Sequence, residues 1–277
     1  MKTRPPKPQT MRDALYEAPG PRTRKRIALG TAVSAVLVLL GAAAVVWQFY
    51  VTGQLSARYW SFFLQWTTWR FLLQGLLGTV QVAATAGVIA LVLGLLLMLG
   101  RTSGVRPLAA ACRVVTDFFR GVPSLLLIYF FFLVVPQYGV KMPSFWMLTL
   151  PVALAASGVL AEVFRAGVNA VPRGQVEAAK SIGLSPARTM FKIVLPQAVR
   201  YVIPSLIAQL VVVVKDTTVA YVVSYPDLMQ NARVLITRYD ALVSMYLVVA
   251  VVYILINYAI NRASVYVAHR TGVKIIR

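Results

Sequence analysis

Cysteine and histidine are nearly absent from this chain. Cys112 is its single cysteine and His269 its single histidine. One cysteine excludes an internal disulfide and a cysteine-built metal site. With no second histidine, a metal centre or a Ser-His-Asp triad would need unusual partners. Acidic residues are also few, eight against 28 Lys and Arg, for a formal net charge of +20. No Gly-x-x-x-x-Gly-Lys-Ser/Thr stretch occurs, so the chain has no Walker loop with which to bind ATP.

What is present is apolar. Hydrophobic residues make up 59% of the chain and charged residues 13%. Several runs reach about 20 apolar residues, the length that crosses a bilayer. In a soluble protein the positive charge would suggest nucleic acid. Here it has a simpler source, the collection of Lys and Arg in cytosolic loops, and no nucleic-acid partner is expected.

The predicted fold is an all-α polytopic membrane protein. Residues 1–26 form a basic, Pro-rich cytosolic tail. Ile27 to Val51 is a retained first span, too long for a signal-peptide core. Residues 52–70 form an outer segment with Tyr59, Trp60, Phe62, Phe63, Trp66 and Trp69, suited to lying flat at headgroup level. The further spans are Phe71 to Leu99, Val114 to Val135 (interrupted early by Arg120-Gly121-Val122-Pro123), Ser144 to Ala161, one beginning near Val199, and Leu242 to Ile260. Arg101 to Arg113 reads as a short cytosolic turn. Gly75, Gly78, Gly87 and Gly94 give the second span faces that allow close helix approach. Pro204 predicts a kink in the fifth span. The stretch from Lys215 to Pro226 is broken and suits a re-entrant piece. Residues 269–277 close the chain as a cytosolic tail.

Six spans put both termini on one side. With the N-terminus inside, 21 of the Lys and Arg fall inside and five outside, the latter being Arg58, Arg70, Lys141, Arg233 and Arg238. Arg120 and Lys215 remain within apolar stretches. The bias predicts N-in, C-in topology.

The most informative stretch is the polar island from residue 165 to residue 196. Gln175 to Ile182 reads as a short helix entered through Pro172, and Gly183 supplies a left-handed corner. Ser185 and Pro186 open a second short helix that runs to about Val194. Helix, corner and helix make a knuckle outside the bilayer.

The same residues carry a resemblance. Glu177-Ala178-Ala179, three residues, Gly183, nine residues, then Ile193-Val194-Leu195-Pro196 is similar to the EAA loop of the membrane subunits of binding-protein-dependent ABC importers. Glu162-Val163-Phe164-Arg165, Val171-Pro172-Arg173-Gly174-Gln175, Arg120-Gly121-Val122-Pro123 and Lys215-Asp216-Thr217 resemble the polar amino acid branch. The resemblance spans roughly Gln74 to His269. It implies a five-helix importer core over residues 71–268, with the first span as an added helix. It also implies partners: a dimer of cytosolic ATP-binding subunits, a second permease subunit and an extracytoplasmic binding protein. ATP and magnesium would sit on the ATPase partner, with no cofactor in this chain.

The resemblance assigns coupling to the ATPase to Glu177, Ala178, Ala179 and Gly183, with Arg173 and Arg188 beside them. Arg120, Lys215, Asp216, Thr217 and Glu162 are the candidates for the substrate path. A charge at membrane depth costs at least about 2.5 kcal/mol unless paired or hydrated, so an Arg120–Asp216 pair is expected. The implied activity is uptake of a polar amino acid, glutamate or aspartate first. Two positions depart from the branch: Leu127 stands where Gln is usual after Arg-Gly-x-Pro, and Val159 stands where Tyr is usual before Glu162. Both remove polarity from the expected cavity and favour one half of a heterodimer over a homodimer. The rival readings are an ion-coupled secondary transporter, for which no repeated halves are visible, and a membrane anchor or sensor recruiting a cytosolic partner.

Overall fold

The computed structural model describes residues 20–270, and these are helical almost throughout. The basic tail up to residue 19 and the last seven residues lie outside the described residues. The chain divides into two units, residues 1–57 and 58–277. In the first, α1 (Pro21–Val51) starts with a Pro in its first turn, carries Arg22, Arg24, Lys25 and Arg26 near its start and is apolar on all sides from Ile27 onward, the pattern of a helix in lipid.

Two 3-10 turns, Ala57–Tyr59 at the boundary and Ser61–Leu64 within the second unit, stand where a flat interfacial helix was expected. The reason is packing: Phe62 is buried and its ring stacks on Tyr239 at 4.4 Å. The second span, α2 (Trp66–Arg101), starts five residues earlier than predicted and takes in Trp66 and Trp69. Its four predicted glycines, Gly75, Gly78, Gly87 and Gly94, are all buried.

The predicted third span is broken. The helix α3 (Arg106–Gly121) is amphipathic and occupies much of what was expected to be a turn. It is followed by α4 (Ser124–Tyr129), which continues through a π turn (Phe130–Val134) and a 3-10 turn (Val135–Tyr138). The two arms meet at 98°. Pro123 causes the break: it lacks an N–H and drives Val122 to an extended backbone at ψ 124°.

The fourth span, α5 (Ser144–Ala170), passes the predicted end and keeps Pro151 inside it. The knuckle follows as α6 (Arg173–Ser181) and α7 (Pro186–Thr189). The second arm of the knuckle is not separate from the fifth span. From α7 the chain runs through a π turn (Met190–Val194) into α8 (Leu195–Asp216) and a 3-10 turn (Thr217–Val223). Together they form one apolar run, Pro186–Val223. The π turn shifts the hydrogen-bond register just before Pro196, where the missing N–H would otherwise break the ladder. Pro204 lies within the continuous helix. The broken stretch after Asp216 leads to α9 (Leu228–Tyr239), and α10 (Leu242–Arg270) closes the described chain.

Among the described residues five helices are long and apolar enough to cross a membrane, six if the bent α3–α4 pair counts as one. The main core joins α2, α4, α5, α8 and α10 through residues such as Val82, Ile128, Val152, Leu160, Val202 and Tyr253. A second core, around Phe62, Leu72, Leu228, Leu235 and Met245, fastens α9 to α2 and α10.

Candidate functional site

Two groups of residues stand out, one on the knuckle and one where α2, α3 and α5 converge. On the knuckle, α6 ends in a Schellman turn. The Leu184 N–H donates to the Ala179 carbonyl (3.1 Å) and the Gly183 N–H to that of Lys180 (2.9 Å). Gly183 takes φ 79°, a left-handed conformation that a β-carbon would oppose. The Ser185 hydroxyl then accepts from the Arg188 N–H at 3.4 Å, capping α7. Ala179 faces inward and is buried, whereas Arg173, Glu177 and Ala178 are exposed. Glu177 forms no ion pair with its basic neighbours among the described residues. Its carboxylate and the small Ala178 are therefore both presented outward. Val171, Val194 and Ala198, with Val176 and Met190 against them, form a small core that seats α6 on the base of the fifth span.

The second group centres on Glu162. Its Oε1 accepts from Arg101, the last residue of α2, and its Oε2 accepts from Arg165 (Nη2 at 2.7 Å) on its own helix. Arg120, at the end of α3, approaches Oε1 to 3.6 Å and Asp117 to 3.7 Å. Gly158 makes this crossing possible: a β-carbon there would stand 2.9 Å from the Thr116 carbonyl and 3.0 Å from the Arg120 N. Three arginines thus converge on two carboxylates, and one positive charge is left over.

The expected Arg120–Asp216 pair does not form. The bend at Pro123 turns α3 so that Arg120 meets Glu162 instead, and Asp216 faces Ser124 at the start of α4. Asp216 and Lys215 have no ion-pair partner among the described residues. Lys215 is exposed and Asp216 half-buried. Thr217 is fully buried, with its hydroxyl donating to the Val214 carbonyl at 2.9 Å. Of the five path candidates, the structure brings together Arg120 and Glu162, places Asp216 against Ser124 at the same bend, and leaves Lys215 and Thr217 without an ion pair to the arginines. Leu127 is buried and Val159 half-buried.

Sequence reasoning missed Arg101, Arg165 and Asp117. Two of them carried a signal. Arg165 stands three residues after Glu162, and Asp117 three residues before Arg120, the spacing of neighbours on a helix. Arg101 is a long-range partner that no local spacing announces.

The comparisons with known proteins agree with this architecture. The family model described as "Binding-protein-dependent transport system inner membrane component" matches residues 90–273. The glutamate transport system permease protein GluD of Corynebacterium glutamicum is 34% identical over 76% of this chain and 78% of its own length. The glutamate/aspartate import permease protein GltK of Escherichia coli is 30% identical over 73% of this chain and 94% of its own. A probable glutamine ABC transporter permease, GlnP of Bacillus subtilis, is 32% identical over 70% and 90%. The crystal structure of an amino acid ABC transporter with histidines superposes with a TM-score of 0.69 at 25% identity, covering 73% of this chain and 94% of that one.

Proposed function

Since this chain belongs to the inner membrane components of binding-protein-dependent transport systems, as an amino-acid ABC importer permease, we propose that it carries an acidic amino acid inward by ATP-driven alternating access. The observation that carries the mechanism is the continuity of the knuckle with the fifth span. Glu177 and Ala178 face outward on α6, the Schellman turn at Gly183 fixes the angle to α7, and α7 runs unbroken into α8. A push on α6 therefore moves a rigid rod through the bilayer.

ATP and magnesium belong to a separate pair of cytosolic subunits, whose closure drives the two knuckles of a permease pair together. Outward opening accepts substrate from the binding protein, and hydrolysis reverses it. A ligand shifts such an equilibrium only through differential affinity for its two states, and the docked α6 supplies that difference.

The substrate reading rests on the surplus positive charge at the Glu162 cluster. Arg101, Arg120 and Arg165 exceed Glu162 and Asp117 by one charge, which favours an anion passing nearby. Glutamate and aspartate are net anions, and the relatives named for glutamate agree. Arg120, Glu162 and Asp216 around the Pro123 bend form the path, with Lys215 and Thr217 entering it when α8 moves. The apolar Leu127 and Val159 make this copy the less substrate-contacting half of a heterodimer.

The test is reconstitution with the ATPase subunit, the second permease and the binding protein in liposomes. Uptake of labelled glutamate should require ATP inside the ATPase-accessible compartment and stop when the ATPase subunit is omitted. Uptake that persists on an ion gradient alone would overturn the reading in favour of a secondary transporter. Stronger competition by unlabelled glutamine than by aspartate would reject the acidic substrate while leaving the class intact.

A further inference from the structure

Among the described residues Asp227 is the only charged side chain that is fully buried. It has no ion-pair partner there, because every ion pair lies in the Glu162 cluster. Its Oδ1 caps α9 by accepting from the Gln230 N–H at 2.7 Å. Its Oδ2 is buried and makes no hydrogen bond. A buried polar atom left in this way calls for an occupant, commonly an ion or an ordered water. An uncompensated charge is costly away from water.

The side chains around it offer oxygens. Tyr253 of α10 brings its hydroxyl to Asp227, Thr79 and Thr217, yet that hydroxyl is itself buried without a hydrogen bond. Thr217, buried at the end of the fifth span, spends its proton on the Val214 carbonyl at 2.9 Å, so its lone pairs remain. Thr79 of α2 is buried and accepts from the Leu228 N–H at 3.1 Å with one lone pair, leaving the other. The backbone that carries Asp227 is pressed onto α2. A β-carbon at Gly75 would stand 2.7 Å from the Asp227 carbonyl oxygen, and one at Gly78 would stand 2.5 Å from that of Pro226. The oxygens therefore come from separate elements of the second unit, set on a fixed frame.

Hard cations take oxygen ligands. The ligands here set the charge: a lone carboxylate among neutral hydroxyls balances a single positive charge. No group of three or more His, Cys, Asp or Glu among the described residues could hold a metal ion, so the charge that a divalent ion draws on is not gathered here. A bridging water would satisfy the hydrogen bonds and leave the carboxylate uncompensated.

We propose that Asp227, Tyr253, Thr79 and Thr217 bind a small monovalent cation of the sodium class, which ties α2 and the end of the fifth span to α9 and α10. The site goes beyond the transport reading and does not depend on it.

The test uses the full-length chain purified in detergent at pH 8, with choline chloride replaced stepwise by sodium chloride at constant ionic strength. Scintillation-proximity counting of radioactive sodium should show saturable binding. Tm should rise by about 3–6 °C at roughly ten times the half-saturating concentration. Asp227→Asn, which keeps the cap acceptor, should abolish both effects. Tyr253→Phe should weaken sodium binding about fivefold and leave Tm in choline chloride unchanged, because the hydroxyl it removes makes no hydrogen bond. Thr217→Val should weaken sodium binding similarly. Absence of saturable sodium binding by the wild type overturns the proposal and leaves Asp227 a helix cap alone. So does sodium binding that survives in Asp227→Asn, or displacement of sodium by micromolar calcium, which would make the site divalent.

Discussion

Replacing Glu162 with Gln removes the one anion shared by three helices. Breaking a buried ion pair from one side typically costs about 3–5 kcal/mol, because a charge is left buried without compensation. How much of that applies depends on exposure. The side chains of Glu162 and Arg101 are 19% and 18% exposed, so this pair is close to the buried limit. Arg165 and Arg120, at 38% and 46%, are open enough to be rehydrated, and each contributes under about 1 kcal/mol. Gln keeps an acceptor for Arg101, which favours the lower end, about 3 kcal/mol. For a domain of this size each kcal/mol moves Tm by roughly 2–4 °C, so a fall of roughly 6–12 °C is expected.

The assay is thermal unfolding of the detergent-solubilised complex, read by fluorescence-detected size exclusion. Arg101→Gln alone should cost less, since Glu162 keeps Arg165 at 2.7 Å. The double variant Glu162→Gln with Arg101→Gln should be more stable than Glu162→Gln, and the full cycle with both single variants and wild type gives their coupling energy. Uptake then separates two roles: a purely structural cluster regains transport in the double variant, whereas a path residue regains stability alone. A Glu162→Gln complex melting within about 2 °C of wild type would refute the reasoning, because the three arginines would then be solvated without it.

Glu177→Lys should leave the protein inserted and stable, since Glu177 is exposed and unpaired among the described residues, while abolishing ATP hydrolysis stimulated by the binding protein; normal stimulation would remove the lever role. Gly158→Leu should block the α3–α5 crossing, where even a β-carbon meets the Thr116 carbonyl at 2.9 Å, and cut the yield of assembled complex severalfold; wild-type yield would mean that the crossing is looser than drawn. Burial pushes the Asp227 carboxyl from its ordinary 3.8 up to about 6. The contribution of a raised carboxyl is fully present below pH 3.8 and lost as pH rises through 6, a swing of ~3 kcal/mol at most. Asp227→Asn, which keeps the cap, should therefore narrow the gap in Tm between pH 5 and pH 8, and an unchanged gap would reject the assignment.

What was legible in the sequence follows from how local each signal is. Most of the apolar runs and the Gly183 corner depend on neighbours within a few residues, and the structure has helices and a left-handed turn where they were expected. The left-handed glycine is the clearest case: its φ of 79° and the two hydrogen bonds across it were implied by a helix former on one side and Ser185-Pro186 on the other. The interruption of the third span at Arg120-Gly121-Val122-Pro123 was expected, but apolarity alone does not say how sharply a run turns there. Pro123 was seen, but its consequence, a 98° bend, depends on α5 being close enough at Gly158 to receive the turned α3. That bend then decides the chemistry. A straight span would have carried Arg120 past Glu162 toward Asp216, the pairing that charge bookkeeping suggested. The bent one delivers it to a carboxylate already held by Arg101, 61 positions earlier in the chain. Charges at membrane depth announce that partners must exist, and only the packing of helices far apart in sequence says which. The same limit applies at the knuckle. The second short helix was expected to end near Val194, and the π turn at Met190–Val194 instead lets the chain continue into α8. That continuity is what the proposed lever at α6 requires in order to move the membrane helices.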